Sequence, residues 1–576
     1  MRKKTRKETK TKMNLKIRLA VATILMTLLP LCSMAQEELS FRRGNCMPEV
    51  NDNVNVNENE NENGNENENG NGLRRAARRL QPMTGWDATK TYKQMVVLFE
   101  FTDSLFHRED ARATYDKFFN QTGYNEGQGA GCVADYFRDQ SGGLLNLSFD
   151  IYGPVTVSGK AQPYDNPTID TRNYGRTQME EATRKVLEAN PGVDYSQYDW
   201  NGDGTIEQVI YVYAGPGGNK NQELCYGHIW PNTSSFSTIT TPDGKKIYNY
   251  TCSAELWQAN SRRSCGIGTI CHEFTHSLGL PDIYPVGNDL PKSTVDEWDL
   301  MDGGNFTNLG WCPPNFSPLE KMLMGWLQPV ELTEATSVTA LKPAAEGGTV
   351  YQVKHTANEY LLLENRQWNG WDKGLPGKGL VVYQVDYAAS AWSGNRVNSF
   401  VDENKFLYRI AHADNILYDD WVDLAVSRGV TSLNQLYKNT GRLNSMLLST
   451  SSYPWATDST TFVNNELTDT SVPATIMHNN NSAGVKLLGK PITNIQMSED
   501  GLVSFDFMGG TTGIKNVNGN GNGNGDVNGN VNGNYSVYDL SGRLVINGNG
   551  NVNGNGVYLV RDKNGKVRKV VSRGTR

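Results

Sequence analysis

Two kinds of hydrophobic patterning occupy the middle of the chain. Between residues 90 and 330 short apolar runs alternate with helical periods. Residues 95–101 (Met-Val-Val-Leu-Phe-Glu-Phe) form the continuous apolar run of a buried strand, and 145–149, 155–157 and 208–213 read as further strands. Residues 132–138 read as a short helix and 176–190 repeat with a helical period. From 331 to 510 the pattern changes to short alternating runs at 350–353, 359–364, 380–385 and 502–507, with turn residues between them, which predicts β-sheet. The expected class is therefore α+β, with a mixed region followed by a β-rich one and a small β-rich tail.

Other stretches have nothing to bury. Residues 51–72 are almost only Asn, Glu and Gly, and 516–534 are dominated by Asn and Gly. Such composition offers no apolar face, so both are expected to lack a packed core, the second acting as a linker. At the N-terminus a basic run, 2–12, precedes an apolar run of thirteen residues, 19–31, and then Ser33-Met34-Ala35. That is the build of a secretory signal peptide, and the run is too short to span a membrane. Initiation at Met13 would give a leader of more ordinary length. Cys32 lacks the small residues that precede a lipidated cysteine. The boundaries expected are 1–35 signal peptide, 36–82 prosegment, 83–330 mixed region, 331–512 β-rich region, 513–534 linker and 535–576 C-terminal domain.

With 576 residues the chain has room for two to four domains, and its net charge of −7 makes no case for nucleic acid or for a basic membrane surface. The chemistry is concentrated at His272-Glu273-Phe274-Thr275-His276-Ser277-Leu278-Gly279-Leu280-Pro281-Asp282. Residues four apart share a helix face, so His272 and His276 can grip one Zn²⁺ while Glu273 handles a proton beside them. Gly279 permits a left-handed helix end and Pro281 cannot continue the helix, so the chain can double back and bring Asp282 to the metal. Three protein ligands with a fourth position left for water is the composition of a catalytic zinc site. Glu297 and Glu320 are rival acids for the third place, and His228 a rival imidazole.

The same run, followed by Trp298-Asp299-Leu300-Met301-Asp302-Gly303-Gly304, resembles the immune inhibitor A family of secreted bacterial metallopeptidases. The likeness extends to Tyr198-Asp199-Trp200-Asn201-Gly202-Asp203-Gly204 and to Tyr360-Leu361-Leu362-Leu363-Glu364-Asn365-Arg366, and covers roughly residues 90 to 510. It implies a zincin-like, metzincin-type catalytic domain over 83–330 with Asp282 in the place where most metzincins carry a third His. It further implies Glu273 as general base, Met301 as packing support below the metal, and hydrolysis of peptide bonds in extracellular proteins. A non-catalytic zinc-containing adhesin and a glycoprotein-directed peptidase are the competing readings. Residues 535–545, 556–561 and 566–571 resemble the sorting domain of the type IX secretion system, a small β-sandwich, which implies secretion machinery as a partner and a secreted or cell-surface destination by way of the periplasm. The Asn-Gly insert at 545–556 departs from the usual spacing.

Three further sites are candidates. Asp199, Asn201, Asp203 and Glu207 place oxygens at alternate positions around glycine as a Ca²⁺ loop does, with an ion-free Asx turn as the rival. Cys132, Cys225, Cys252, Cys265, Cys271 and Cys312 are an even set compatible with three disulfides in an exported protein. Cys46, in the prosegment, could hold a zymogen silent by placing a thiolate on the zinc. The paired basics of Arg74-Arg75-Ala76-Ala77-Arg78-Arg79 offer a processing site.

Overall fold

The computed structural model describes residues 80–165, 170–219, 223–286, 294–399, 406–415, 449–456 and 463–510, and beyond them four strands between 536 and 572. The expected signal peptide, residues 36–79 of the expected prosegment, Cys46 among them, and the expected 513–534 linker lie outside the described residues. Among the described residues no helix is long and apolar enough to cross a membrane.

Five strands, β1 (Thr91–Phe101), β2 (Asn146–Val157), β3 (Val209–Pro216), β4 (Asn232–Thr240) and β5 (Lys246–Leu256), form one sheet in the order β2-β1-β3-β5-β4. All pairings are parallel except that of β4, the edge strand, with β5. The run at 95–101 is continuously apolar because both faces of β1 are covered. Val96 and Leu98 pack into one core with Phe119, Phe137 and Phe274. Met95, Val97 and Phe99 pack into the other with Met179, Ala182 and Val186. The first face is covered by α1 (Ala111–Asn120), α2 (Val133–Gln140) and, later in the chain, α4 (Gly268–Ser277); the second is covered by α3 (Arg172–Ala189). Each fully buried side chain of this size contributes roughly 1.5–3 kcal/mol. The runs expected at 145–149 and 155–157 are one strand, β2, continuous through Gly153-Pro154. Helix α1 and the β4–β5 hairpin were not expected: β4 (Asn-Thr-Ser-Ser-Phe-Ser-Thr-Ile-Thr) is an edge strand whose polar residues mask the period.

After α5 (Pro318–Leu323), which a Ser317–Glu320 capping box starts, the chain builds antiparallel structure apart from one short parallel pair, β6 with β8. Its strands are β6 (Val330–Glu331), β7 (Thr336–Leu341), β8 (Tyr351–Lys354), β9 (Glu359–Arg366) and β10 (Gly379–Asp386), then helix α6 (Ala389–Ser393) and β11 (Tyr408–Ile410). Five of them form a sheet in the order β11-β10-β9-β8-β6. After the short pair β12 (Trp455–Ala456) and β13 (Val463–Asn464), β14 (Ile492–Met497) and β15 (Val503–Phe507) join β7 in a three-stranded sheet. The strict period of two explains β9 and β10. Tyr360, Leu362, Val381 and Tyr383 face the core shared with Phe274 of α4, whereas Leu361, Leu363, Leu380 and Val382 face a separate core shared with Val338, Ile495 and Phe505.

A buried ion cluster joins the two regions. The Arg366 guanidinium donates to both oxygens of Asp372, at 2.7 and 2.6 Å, to Glu364 at 2.9 Å and to the Asn315 carbonyl at 3.2 Å. Asp372 in turn accepts from the Asn315 amide at 2.9 Å. Burial opposes charge on Arg366, but Asp372 and Glu364 over-compensate and hold its pKa well above the ordinary value.

The expected three disulfides do not form. All six cysteines are buried, and Cys132, Cys252, Cys271 and Cys312 are unbridged thiols. Burial raises their pKa, that of Cys132 to about 12, and Cys132 is the N-cap of α2 with its sulfur accepting from the Asp135 amide. Their even number reflected packing of small apolar side chains.

The last four strands, β16 (Ser536–Asp539), β17 (Leu544–Asn547), β18 (Gly556–Arg561) and β19 (Val567–Ser572), belong to a separate unit. They pair antiparallel throughout in the order β17-β16-β18-β19.

Candidate metal centre

Helix α4 packs its length into the core, and its C-terminus is built by a Schellman motif. The Gly279 amide donates to His276 O at 2.9 Å and the Leu280 amide to Thr275 O at 3.3 Å. Gly279 has φ +102, and a Cβ there would lie 2.0 Å from the carbonyl of Gln81, so the turn requires glycine on two counts. The segment entering the domain crosses this turn, with the Met83 amide donating to Leu278 O at 2.8 Å.

The reversal brings Asp282 back to the helix. Its Oδ1 lies 3.3 Å from Nε2 of His272 and 3.3 Å from Nε2 of His276. His272 donates from Nδ1 to Leu300 O at 2.8 Å, and His276 from Nδ1 to Leu280 O at 2.8 Å. Each carbonyl fixes a tautomer, leaving both Nε2 lone pairs directed at the same point as the carboxylate. Four ligands at about 2.0–2.1 Å around a tetrahedral zinc stand roughly 3.3 Å apart. The observed separations fit that ion without rearrangement. Burial would raise the Asp282 pKa, but the two imidazoles hold it well below the usual carboxylate range.

Glu273, one residue along, is only 3% exposed. Burial pushes its carboxyl up to about 8, with His272 opposing, Asp282 reinforcing and a bond from Thr233 opposing. The Thr233 hydroxyl, on β4, reaches Glu273 O at 2.6 Å and Oε2 at 3.2 Å. The edge strand thus sets the position of the acid. Met301 is fully buried; its amide donates to Asp299 at 2.8 Å and its carbonyl accepts from Ile283 at 2.9 Å, which ties the turn carrying Leu300 to the segment carrying Asp282. Tyr284 stacks on His272, ring centroids 6.4 Å apart at 11°.

One contributor was not anticipated. Asn395, just past α6 and 113 residues from Asp282, clasps it from both sides: its Nδ2 donates to Oδ2 at 2.9 Å and its Oδ1 accepts from the Asp282 amide at 2.7 Å. Asn395 sits at φ +56, the left-handed conformation that asparagine tolerates. No local motif announces it.

The rival ligands are placed elsewhere. Glu320 caps α5, accepting from the Ser317 amide at 2.8 Å. Glu297 lies in the 3-10 turn Asp296–Trp298, and His228 is buried with Nδ1 on Cys225 O at 3.2 Å. Among the described residues, the metal-capable group on α4 consists of His272, His276 and Asp282.

The Asp199–Glu207 loop is filled by hydrogen-bond donors. Asp199 accepts from the amides of Gly202, Asp203 and Gly204 at 2.8, 3.1 and 2.9 Å and from Lys245 Nζ at 2.9 Å. Glu207 accepts from the Trp200 amide at 2.8 Å, and Asn201 donates to Asp203 at 3.1 Å. These are the side-chain-to-amide bonds of Asx turns.

Residues 85–326 match the family model described as immune inhibitor A peptidase M6, catalytic domain. Immune inhibitor A of Bacillus thuringiensis subsp. alesti is 25% identical over 266 residues, a match covering 40% of this chain and 39% of that protein. The pre-pro-metalloprotease PrtV of Vibrio cholerae serotype O1 (strain M66-2) is 24% identical over 268 residues, covering 42% of this chain and 28% of that protein. The matches thus span about two fifths or less of these curated relatives. Together they support a metalloendopeptidase hydrolase.

Proposed function

We propose that the chain is a secreted zinc endopeptidase, with His272, His276 and Asp282 as metal ligands and Glu273 as general base. The observation that carries this reading is the convergence of two carbonyl-oriented imidazoles and one clasped carboxylate at 3.3 Å spacing, with a second acid beside them. When bound there, zinc supplies Lewis acidity: a water made nucleophilic near pH ~7 and a polarised scissile carbonyl. Glu273 accepts the proton of the attacking water and returns it to the leaving amine. The Thr233 hydroxyl holds Glu273 in place while this happens. Asn395 keeps Asp282 from rotating away. An extended peptide adding to β4, the terminal strand of its sheet among the described residues, would pass alongside Thr233 and Glu273, which favours a protein substrate in extended form. The leader and the resemblance of the C-terminal unit to a sorting domain support export, with secretion machinery as partner.

The test uses the full-length chain. Metal is counted by mass spectrometry, and casein hydrolysis is followed with and without chelator for the wild type and Glu273→Ala. Activity lost on chelation, restored by zinc and absent from the metal-loaded variant supports the reading. A metal-loaded wild type that hydrolyses neither casein nor a proteome-derived peptide library would instead make the site structural, as in an adhesin.

A further inference from the structure

A second cluster lies far along the chain from α4. Glu359 opens β9 and Asp386 closes β10, and the two face each other directly across the antiparallel ladder. Glu359 is 0% and Asp386 7% exposed. Like charges directly opposite on a sheet are destabilising, and burial raises the cost because the charges cannot be hydrated. His478 enters between them from the segment that includes the Ile476–Leu487 bridge. Its Nδ1 is 3.1 Å from Asp386 Oδ2 and 4.0 Å from Glu359 Oε1.

Backbone and side-chain amides reach both carboxylates. The His478 amide donates to Glu359 Oε1. The Asn479 amide donates to Glu359 Oε2 at 3.0 Å, and the Asn479 side chain donates to Glu359 at 3.0 Å and Asp386 at 3.1 Å. Arg409 on β11 is near enough to feel Glu359, but its Nε and Nη2 donate to Gln384 Oε1 at 3.0 and 2.7 Å. The two carboxylates and the imidazole bring two oxygen donors and one nitrogen donor within 4.8 Å of one another. That set matches a borderline divalent transition ion, for which imidazole and carboxylate are both suitable. One separation, 3.1 Å, is close to the roughly 3.3 Å between tetrahedral ligands, and the other, 4.0 Å, must close when the ion binds, whereas both separations at the α4 site are already 3.3 Å.

We propose that Glu359, Asp386 and His478 form a second divalent-metal site, structural in role, that takes Zn²⁺ and staples the 476–487 segment to the ends of β9 and β10. Binding requires His478 to carry its proton on Nε2, so that Nδ1 coordinates while the Asp386 and Glu359 oxygens complete the face. Turning the Asn479 amide about its terminal bond would offer an oxygen in place of its nitrogen as a fourth donor.

The experiment isolates this site from α4. Full-length protein carrying His272→Ala and His276→Ala is loaded with Zn²⁺, desalted and analysed for metal, and thermal unfolding is followed with and without zinc. The expectation is one bound zinc per chain and a zinc-dependent rise in Tm. Both should disappear when Asp386→Asn, which preserves the side chain's shape, or His478→Ala is added. Loading with Co²⁺ should give the visible absorption of a four-coordinate site, again lost with Asp386→Asn. The proposal is overturned by a double-alanine protein that binds no zinc, or by binding and a Tm shift that survive both additional substitutions. The outcome is independent of proteolytic activity, which the double substitution removes on the reading above.

Discussion

Two groups of imidazole and carboxylate occupy the two halves of the folded unit, and they are assembled in opposite ways. In the parallel-sheet half, His272, His276 and Asp282 come from one helix and the turn that ends it. In the antiparallel half, Glu359, Asp386 and His478 come from two strands and a distant segment, His478 lying 92 residues from Asp386. The nitrogen-to-oxygen separations are 3.3 and 3.3 Å in the first and 3.1 and 4.0 Å in the second. A helix writes spatial proximity into sequence as a spacing of four. A sheet writes it only as register, which depends on turns and loops between the strands. Chemistry on a helix is therefore visible in one dimension, and chemistry across a ladder is not.

Four substitutions would break or sharpen this contrast. The largest effect belongs to the local half. Glu273→Ala should retain metal and lose roughly 10²–10⁴-fold or more in rate. Casein hydrolysis together with metal content checks it; an undiminished rate would mean that the compact run does not hold the base.

The next tests what the distributed half contributes to stability. Arg366→Met leaves Glu364 and Asp372 buried without their partner, and breaking such a pair costs about 3–5 kcal/mol. Urea unfolding measures it. A cost near zero would show that the antiparallel half is held by apolar packing alone.

A smaller effect crosses the boundary between the halves. Asn395→Ala removes the clasp on Asp282, and outer-shell partners of this kind are worth about 10–100-fold in metal affinity. Competition with a chromogenic chelator reads the change. Unaltered affinity would make the α4 site as self-contained as its sequence suggests.

The smallest concerns the other local acidic motif, the Asp199–Glu207 loop. Burial, with some repulsion from Asp199, raises the Glu207 pKa from an ordinary 4.5 to about 7. The folded state then holds this proton more tightly than the unfolded state, so the wild type loses stability as pH rises from 4.5 through about 7. Glu207→Gln should be more stable than wild type above pH 7, with the gap closing toward pH 4.5. Because Glu207 is partly exposed, solvent screening keeps the gain small. Urea midpoints at pH 4.5 and pH 8 test the sign, and a gain at the acid end would refute it.

The particular residues show what was legible. The apolar run inside β1 and the period of α3 stood out because each has a buried face with a regular period. The alternation in β9 and β10 was readable for the same reason, although which face met which core was not. The β4–β5 hairpin escaped because an edge strand needs little hydrophobicity, and with it went Thr233, which holds Glu273. The cysteines misled because burial and bridging leave the same mark in composition. The calcium-like loop stayed ambiguous because backbone amides and Lys245 can satisfy the Asp199 oxygens as an ion would.

What the sequence determined by itself is the helix bearing His272, Glu273 and His276 and the glycine-dependent reversal to Asp282, since both follow from short-range geometry. Only the tertiary structure decided that Asn395 clasps Asp282, that Thr233 braces Glu273, that Arg366 binds one region to the other, and that Glu359, Asp386 and His478 meet at all. The physical reason is range. Helix spacing and turn chemistry act within a few residues, whereas these contacts are made by whole faces that come together when apolar surface leaves water, and nothing in the local text of either partner encodes the other.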